Sequence, residues 1–178
     1  MIILGIDPGS RRIGYGLIQK NLNQLEFLSA GILKIKSRNS FEVLVEIKDQ
    51  MDFLIKKFRP KIMAVEKLYL VRNQKTAMET AEARGIIILS AAEHGITVKE
   101  YSPNEIKAGV TGYGLADKKA VVKMVRAILS EPRLNFIDDA TDALAVAILA
   151  SQKGVDPVRS PARQPRADES EGPRRGYF

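Results

Sequence analysis

The order of apolar patterns over the first seventy residues narrows the fold more than any other feature. The run Ile2-Ile3-Leu4-Gly5-Ile6 ends at Asp7-Pro8-Gly9-Ser10, which reads as a buried strand entering a turn. Residues 13–19 and 26–35 follow as two more strands of a meander, divided by the polar stretch 20–24. The period then changes. Phe41, Leu44, Ile47, Met51, Leu54 and Phe58 recur every three or four residues, the spacing of one buried helical face. Ser40 is placed to cap that helix and Pro60 to end it. Residues 62–66 (IMAVE) return to a buried strand.

The second half continues the alternation. A helix is expected from about Thr76 to His94, closed by Gly95, and a strand over 96–101. Ser102-Pro103-Asn104-Glu105 has the form of a capping box with Pro at the first helical position. Gly109, Gly112 and Gly114 suggest a loop over 109–116, after which Asp117 can cap a helix with Val121, Val122, Val125, Ile128 and Leu129 on its apolar face. A final helix covers about 139–151. Five strands with helices between them imply an α/β domain, a mixed sheet covered by helices, over residues 1–151. Residues 152–178 hold four of the eight prolines, six basic and four acidic residues, the composition of a disordered tail.

Composition restricts the chemistry. With no cysteine and a single histidine, His94, thiolate nucleophiles, Cys-based zinc sites and His-rich metal sites are excluded or disfavoured. Acid, base or metal chemistry must rest on carboxylates and lysines. The formal net charge of +7 favours polyanionic partners, nucleic acid above all. The N-terminus has neither a basic leader nor a long apolar run, so a soluble, cytoplasmic protein is expected.

Asp7 and Glu66 each close a predicted strand, at the sheet edge where α/β proteins bind ligands. A right-handed helical crossover would make those strands parallel neighbours and bring the two carboxylates together. Asp139 and Asp142, three apart, share one face of the last helix. Four oxygen donors meeting there would suit Mg²⁺ or Mn²⁺. Each part also has an ordinary reading: Asp-Pro-Gly is a common turn, and aspartates in a first helical turn cap free amides. Lys107 and Lys118 flank the glycine-rich loop, though lysines on a helix are often only solvated. Tyr69, Arg72 and Lys75 put an aromatic and cations just after Glu66, a set suited to an opened base and its phosphates. The stretch 76–89, with Ala77, Ala81, Ala83 and Gly85 beside Ile86, Ile87 and Ile88, could pack a dimer or simply the core.

Taken in order, several pieces resemble RuvC-type Holliday junction resolvases: Gly5-Ile6-Asp7-Pro8-Gly9-Ser10 with Gly14-Tyr15-Gly16, Ala64-Val65-Glu66, Ala83-Arg84-Gly85, and Asp139-Ala140-Thr141-Asp142-Ala143-Leu144-Ala145. The resemblance covers about residues 1–150. It implies a ribonuclease H-like fold, a homodimer, and two symmetric nicks across a four-way junction that leave 5′-phosphate and 3′-hydroxyl ends. Asp7, Glu66, Asp139 and Asp142 match the family's catalytic acidic positions, expected to hold two Mg²⁺ ions, with Mn²⁺ able to substitute. Lys107 and Lys118 match basic positions near the scissile phosphate, and Tyr69 an aromatic that stacks on junction bases. Arg72, Lys75 and Lys119 join them as candidate DNA contacts, and the branch-migration proteins RuvA and RuvB are implied partners. Members often carry a His near the end of the last helix, where this chain has Ile148-Leu149-Ala150-Ser151-Gln152. Asp138 beside Asp139 leaves the third ligand one residue ambiguous, and the three-residue spacing to Asp142 favours Asp139. Two other readings are a related nuclease acting on RNA and a junction-binding protein that does not cut. An actin-like kinase would need a second phosphate-binding motif that is missing here.

Overall fold

The computed structural model describes residues 1–22, 24–68, 74–132 and 138–153, with the side chains of residues 74, 75 and 138 outside that description. Strands β1 (Ile2–Asp7), β2 (Arg12–Lys20) and β3 (Leu25–Lys34) form the meander. Helix α1 (Ser40–Phe58) leads to β4 (Ile62–Glu66), and α2 (Gln74–Glu93) to β5 (Thr97–Tyr101). Helices α3 (Pro103–Thr111), α4 (Lys118–Ile128) and α5 (Asp138–Gln152) complete the fold. The sheet order is β3-β2-β1-β4-β5, with β2 antiparallel to β1 and β3, and β1, β4 and β5 parallel. This is the mixed five-stranded sheet of the ribonuclease H-like fold.

Side chains alternate across a strand, so each face of the sheet has its own core. Leu4, Ile6, Ile13, Leu17, Met63 and Val65 pack with Ile47, Met51 and Ile87 of α1 and α2. Ile3, Ile18, Ile62 and Ala64 pack on the other face with Leu144, Val146 and Ile148 of α5 and with α3 and α4. Asp7 and Glu66 share the parity of Ile3 and Ile62, which turns both toward the α5 side.

Three glycines bring α5 down onto that face. A β-carbon at Gly5 would lie 2.0 Å from the Ala143 carbonyl oxygen, and one at Gly14 would lie 2.1 Å from that of Asp139. At Gly16 it would come within 2.7 Å of the Leu144 amide nitrogen. No side chain fits these gaps. The helix axis therefore sits close enough to place its first turn beside the end of β1.

Several expectations need correction. Helix α1 is capped by Asn39, whose side chain accepts from the Phe41 amide, because Ser40 already has helical geometry. Phe41 is 80% exposed, and the buried face is Val43, Ile47, Met51, Leu54 and Ile55 instead. The 109–116 loop starts later than expected. Gly109 lies inside α3 against Leu149, and the helix ends at Gly112, whose left-handed φ of 79° suits glycine. The capping box of Ser102 and Glu105 and the Asp117 cap of α4 are both present. At the far end, Gln152 completes α5 and donates to the Gly109 carbonyl, while Lys153 lies over the Tyr101 ring. These contacts tie Gln152 and Lys153 to the end of α3 and to β5. Of the tail expected over 152–178, residues 154–178 lie outside the described residues.

Candidate active site

Ile6 pairs in parallel with Val65, so the next residues on each strand, Asp7 and Glu66, stand side by side at the carboxyl edge. Tyr101 of β5 pairs with Glu66 and extends the same edge. Above it lie the first turns of α5, with Asp139 and Asp142. The four carboxylates feel one another. Burial raises the Asp7 carboxyl from its ordinary 3.8 to about 7, and the charges of Glu66, Asp142 and Asp139 add to the effect. Glu66 is also raised, by burial first and then by Asp142.

Two lysines oppose these shifts. Lys118 pulls Asp7 down and Lys107 pulls Glu66 down, which puts both ammonium groups at the site. Lys118, at the start of α4, also donates to Asp142 Oδ2 at 3.1 Å. Glu66, Lys107, Lys118 and Asp142 line one cleft of about 210 Å³, together with Ile106 and Val121.

A basic residue that the motifs did not single out completes the ring. Arg12, the first residue of β2, donates through Nε and Nη2 to Asp139 Oδ2 at 3.2 and 3.1 Å. Its signal in sequence was only its position, one turn after Asp7-Pro8-Gly9. Tyr113 and Leu115, in the loop between α3 and α4, were also passed over; they are 61% and 71% exposed.

The remaining expected residues are spread more widely. Lys119 is exposed on α4, and Lys75 lies on α2 with its side chain undescribed. Tyr69 and Arg72 lie outside the described residues. Arg84, from the Ala83-Arg84-Gly85 motif, pairs with Glu100 of β5. The charge of Asp139 reaches Asp7, and the Asp138 side chain lies outside the described residues. His94 sits elsewhere, with Nδ1 2.9 Å from the Ser90 carbonyl oxygen. The turn where relatives often carry a His is mostly core here, with Ile148, Leu149, Ala150 and Ser151 buried.

Among the described residues, no three of the acidic or histidine side chains close into a cation cage. Asp139 and Asp142 are instead drawn to Arg12 and Lys118. The donor set nevertheless suits a divalent cation. All four donors are carboxylates, the hard oxygen ligands that Mg²⁺ and Mn²⁺ prefer.

A sheet of this topology, with an acidic edge bracketed by lysines, defines a ribonuclease H-like nuclease. Residues 3–150 match the family model for "Crossover junction endodeoxyribonuclease RuvC". A crossover junction endodeoxyribonuclease RuvC of Natranaerobius thermophilus is 43% identical over 153 residues, covering 85% of this chain and 95% of that one. The RuvC structure of Thermus thermophilus superposes with a TM-score of 0.76 at 29% identity, covering 84% of this chain and 92% of that one. The same score, at 26% identity and the same coverage, is found for T. thermophilus RuvC in complex with a Holliday junction substrate. The chain belongs to the RuvC family of crossover junction endodeoxyribonucleases.

Proposed function

We propose that this chain is a structure-specific endonuclease that resolves Holliday junctions in DNA recombination and repair. It would nick two opposed strands symmetrically and leave 5′-phosphate and 3′-hydroxyl ends. The observation that carries the reading is the half-buried acidic edge, Asp7 and Glu66 beside Asp139 and Asp142, with Lys107 and Lys118 opposing its charge. The family match spans all six residues. It favours neither an RNA-directed nuclease nor a protein that binds junctions without cutting.

Asp7, Glu66, Asp139 and Asp142 would hold Mg²⁺, two ions per site, with Mn²⁺ able to substitute. Bound there, a divalent cation supplies a Lewis acid for the phosphodiester and acidifies an attacking water. The protein's own groups do the rest. Asp7 and Glu66, on adjacent strands, form the rigid floor of the site. Asp139 and Asp142, on a packed helix, complete the oxygen set. Lys118 and Lys107 supply donors to phosphate oxygens as negative charge builds in the transition state. Tyr69, Arg72, Lys75 and Lys119 would contact the junction outside the reacting bond.

The functional unit would be a homodimer working with RuvA and RuvB in the cytoplasm. The outer side of α2 suits the dimer contact. Met78 and Leu89 are 66% and 47% exposed there, and a β-carbon at Gly85 would touch nothing within 4 Å. Among the described residues, no helix is long and apolar enough to cross a membrane.

The test is cleavage of a synthetic mobile four-way junction with Mg²⁺ or Mn²⁺, using Asp7→Asn and a linear duplex as controls. Paired nicks confined to the junction, and lost in Asp7→Asn while binding persists, are expected. Binding without cutting under either metal, or cleavage of RNA instead, would overturn the reading.

A further inference from the structure

We propose that the outer face of α4 is a track for the phosphate backbone of one duplex arm, with Lys123 and Arg126 as DNA-binding residues. The proposal rests on the junction-resolving reading and adds a binding surface to it. Helix α4 carries Lys118, Lys119, Lys123 and Arg126 and not one acidic residue. Lys119, Lys123 and Arg126 follow at i, i+4 and i+7, so they share one stripe of the helix. At a rise of 1.5 Å per residue the stripe is about 10 Å long. A DNA strand advances about 3.4 Å per phosphate, so three phosphate steps match that length.

The stripe borders a groove of about 820 Å³ whose lining includes Val122, Ala127 and Pro132 as well as these cations. Apolar side chains between cations suit a backbone that alternates deoxyribose and phosphate. Among the described residues, neither Lys119 nor Lys123 pairs with a carboxylate, although acidic residues are common elsewhere on the surface. Lys118 belongs both to this groove and to the catalytic cleft, so the surface continues from the acidic edge without a break.

The candidate occupants differ in charge. Residues 154–178 carry five arginines against four acidic residues, so this segment is net positive and a weaker match to the basic stripe than a uniformly anionic DNA strand. An acidic protein would match the charge, but it would not explain why the groove starts at the cleavage site. A DNA arm explains both.

The decisive measurement is junction binding across a salt series for wild type, Lys123→Gln/Arg126→Gln and the conservative Lys123→Arg. The double variant should bind about tenfold more weakly at moderate salt. Its slope of log K against log salt should be shallower by roughly 1.8, since each lost phosphate contact removes about 0.9. Lys123→Arg should behave as wild type. On a junction whose arms are too short to reach along α4, the double variant and wild type should converge. Far-UV circular dichroism checks that the double variant is folded, and Lys123→Glu, which reverses the charge, should weaken binding further. If wild type cuts the junction but the double variant matches its affinity and slope, this proposal alone fails. If wild type neither binds nor cuts, the junction reading fails with it.

Discussion

Arg12 and Asp139, 127 residues apart in the chain, meet across the site: the guanidinium donates twice to one carboxylate oxygen, Oδ2. The arginine therefore neutralises a carboxylate that the proposed chemistry needs for a cation. Both side chains are partly exposed, at 52% and 30%, so the pair contributes only about 0.2–1 kcal/mol in water. That is small enough for a divalent ion to displace.

Arg12→Ala should then tighten Mn²⁺ binding by a few-fold, because about 1 kcal/mol corresponds to roughly a factor of five. Isothermal titration of the DNA-free protein with Mn²⁺ measures this directly. Weaker binding in the variant would mean that Arg12 holds Asp139 in position and does not compete for it.

Asp7 predicts an unusual dependence of stability on pH. Its carboxyl titrates at about 7 in the folded protein, against an ordinary 3.8. Between those values the folded state keeps a proton that the unfolded state has lost. Stability without metal is therefore highest at the acidic end of this window and falls as pH rises toward 7, levelling above it. A shift of this size corresponds to about 4 kcal/mol at most, at 1.36 kcal/mol per unit. Asp7→Asn should lessen this decline, leaving the smaller part due to Glu66, and melt several degrees above wild type at pH 8 in EDTA, while abolishing cleavage. Parallel melting curves for the two proteins from pH 5 to 8 would refute the assignment.

Gly14 makes a geometric prediction. Its missing β-carbon leaves room for the Asp139 carbonyl, which would otherwise lie 2.1 Å away. Gly14→Ala must push the start of α5 off the sheet. Overpacking of this kind typically costs about 1–3 kcal/mol, and a backbone obstacle puts the cost at the upper end. The expected result is a lower melting temperature together with weaker Mn²⁺ binding, as Asp139 leaves the edge. A variant that loses stability yet binds Mn²⁺ normally would show that the close approach serves packing alone.

Much of this protein was legible in the linear chain, wherever a signal spans a few residues. Strand and helix periods marked all five strands and their order. The Ser102–Glu105 capping box and the Asp117 cap are complete within four residues each, and both form as read. Asp7 and Glu66 could be paired in advance because each ends a strand and a helical crossover makes those strands parallel. Phe41 and Ser40 misled for the opposite reason. Three-to-four spacing fits more than one helical face, and only the approach of the sheet selects Val43 over Phe41.

What the tertiary structure decided lies in contacts between distant residues. No local pattern shows that Gly5, Gly14 and Gly16 form one smooth patch on which α5 rests. No local pattern places Arg12 on Asp139 or sets Lys107 opposite Glu66. Nor does the sequence of α4 reveal that its cations border a groove beginning at the acidic edge. Sequence alone determined which residues carry charge and which strands end in acid. Packing alone decided how far apart those charges stand, and electrostatic energy depends on that distance and on burial, neither of which is written in the spacing of residues along the chain.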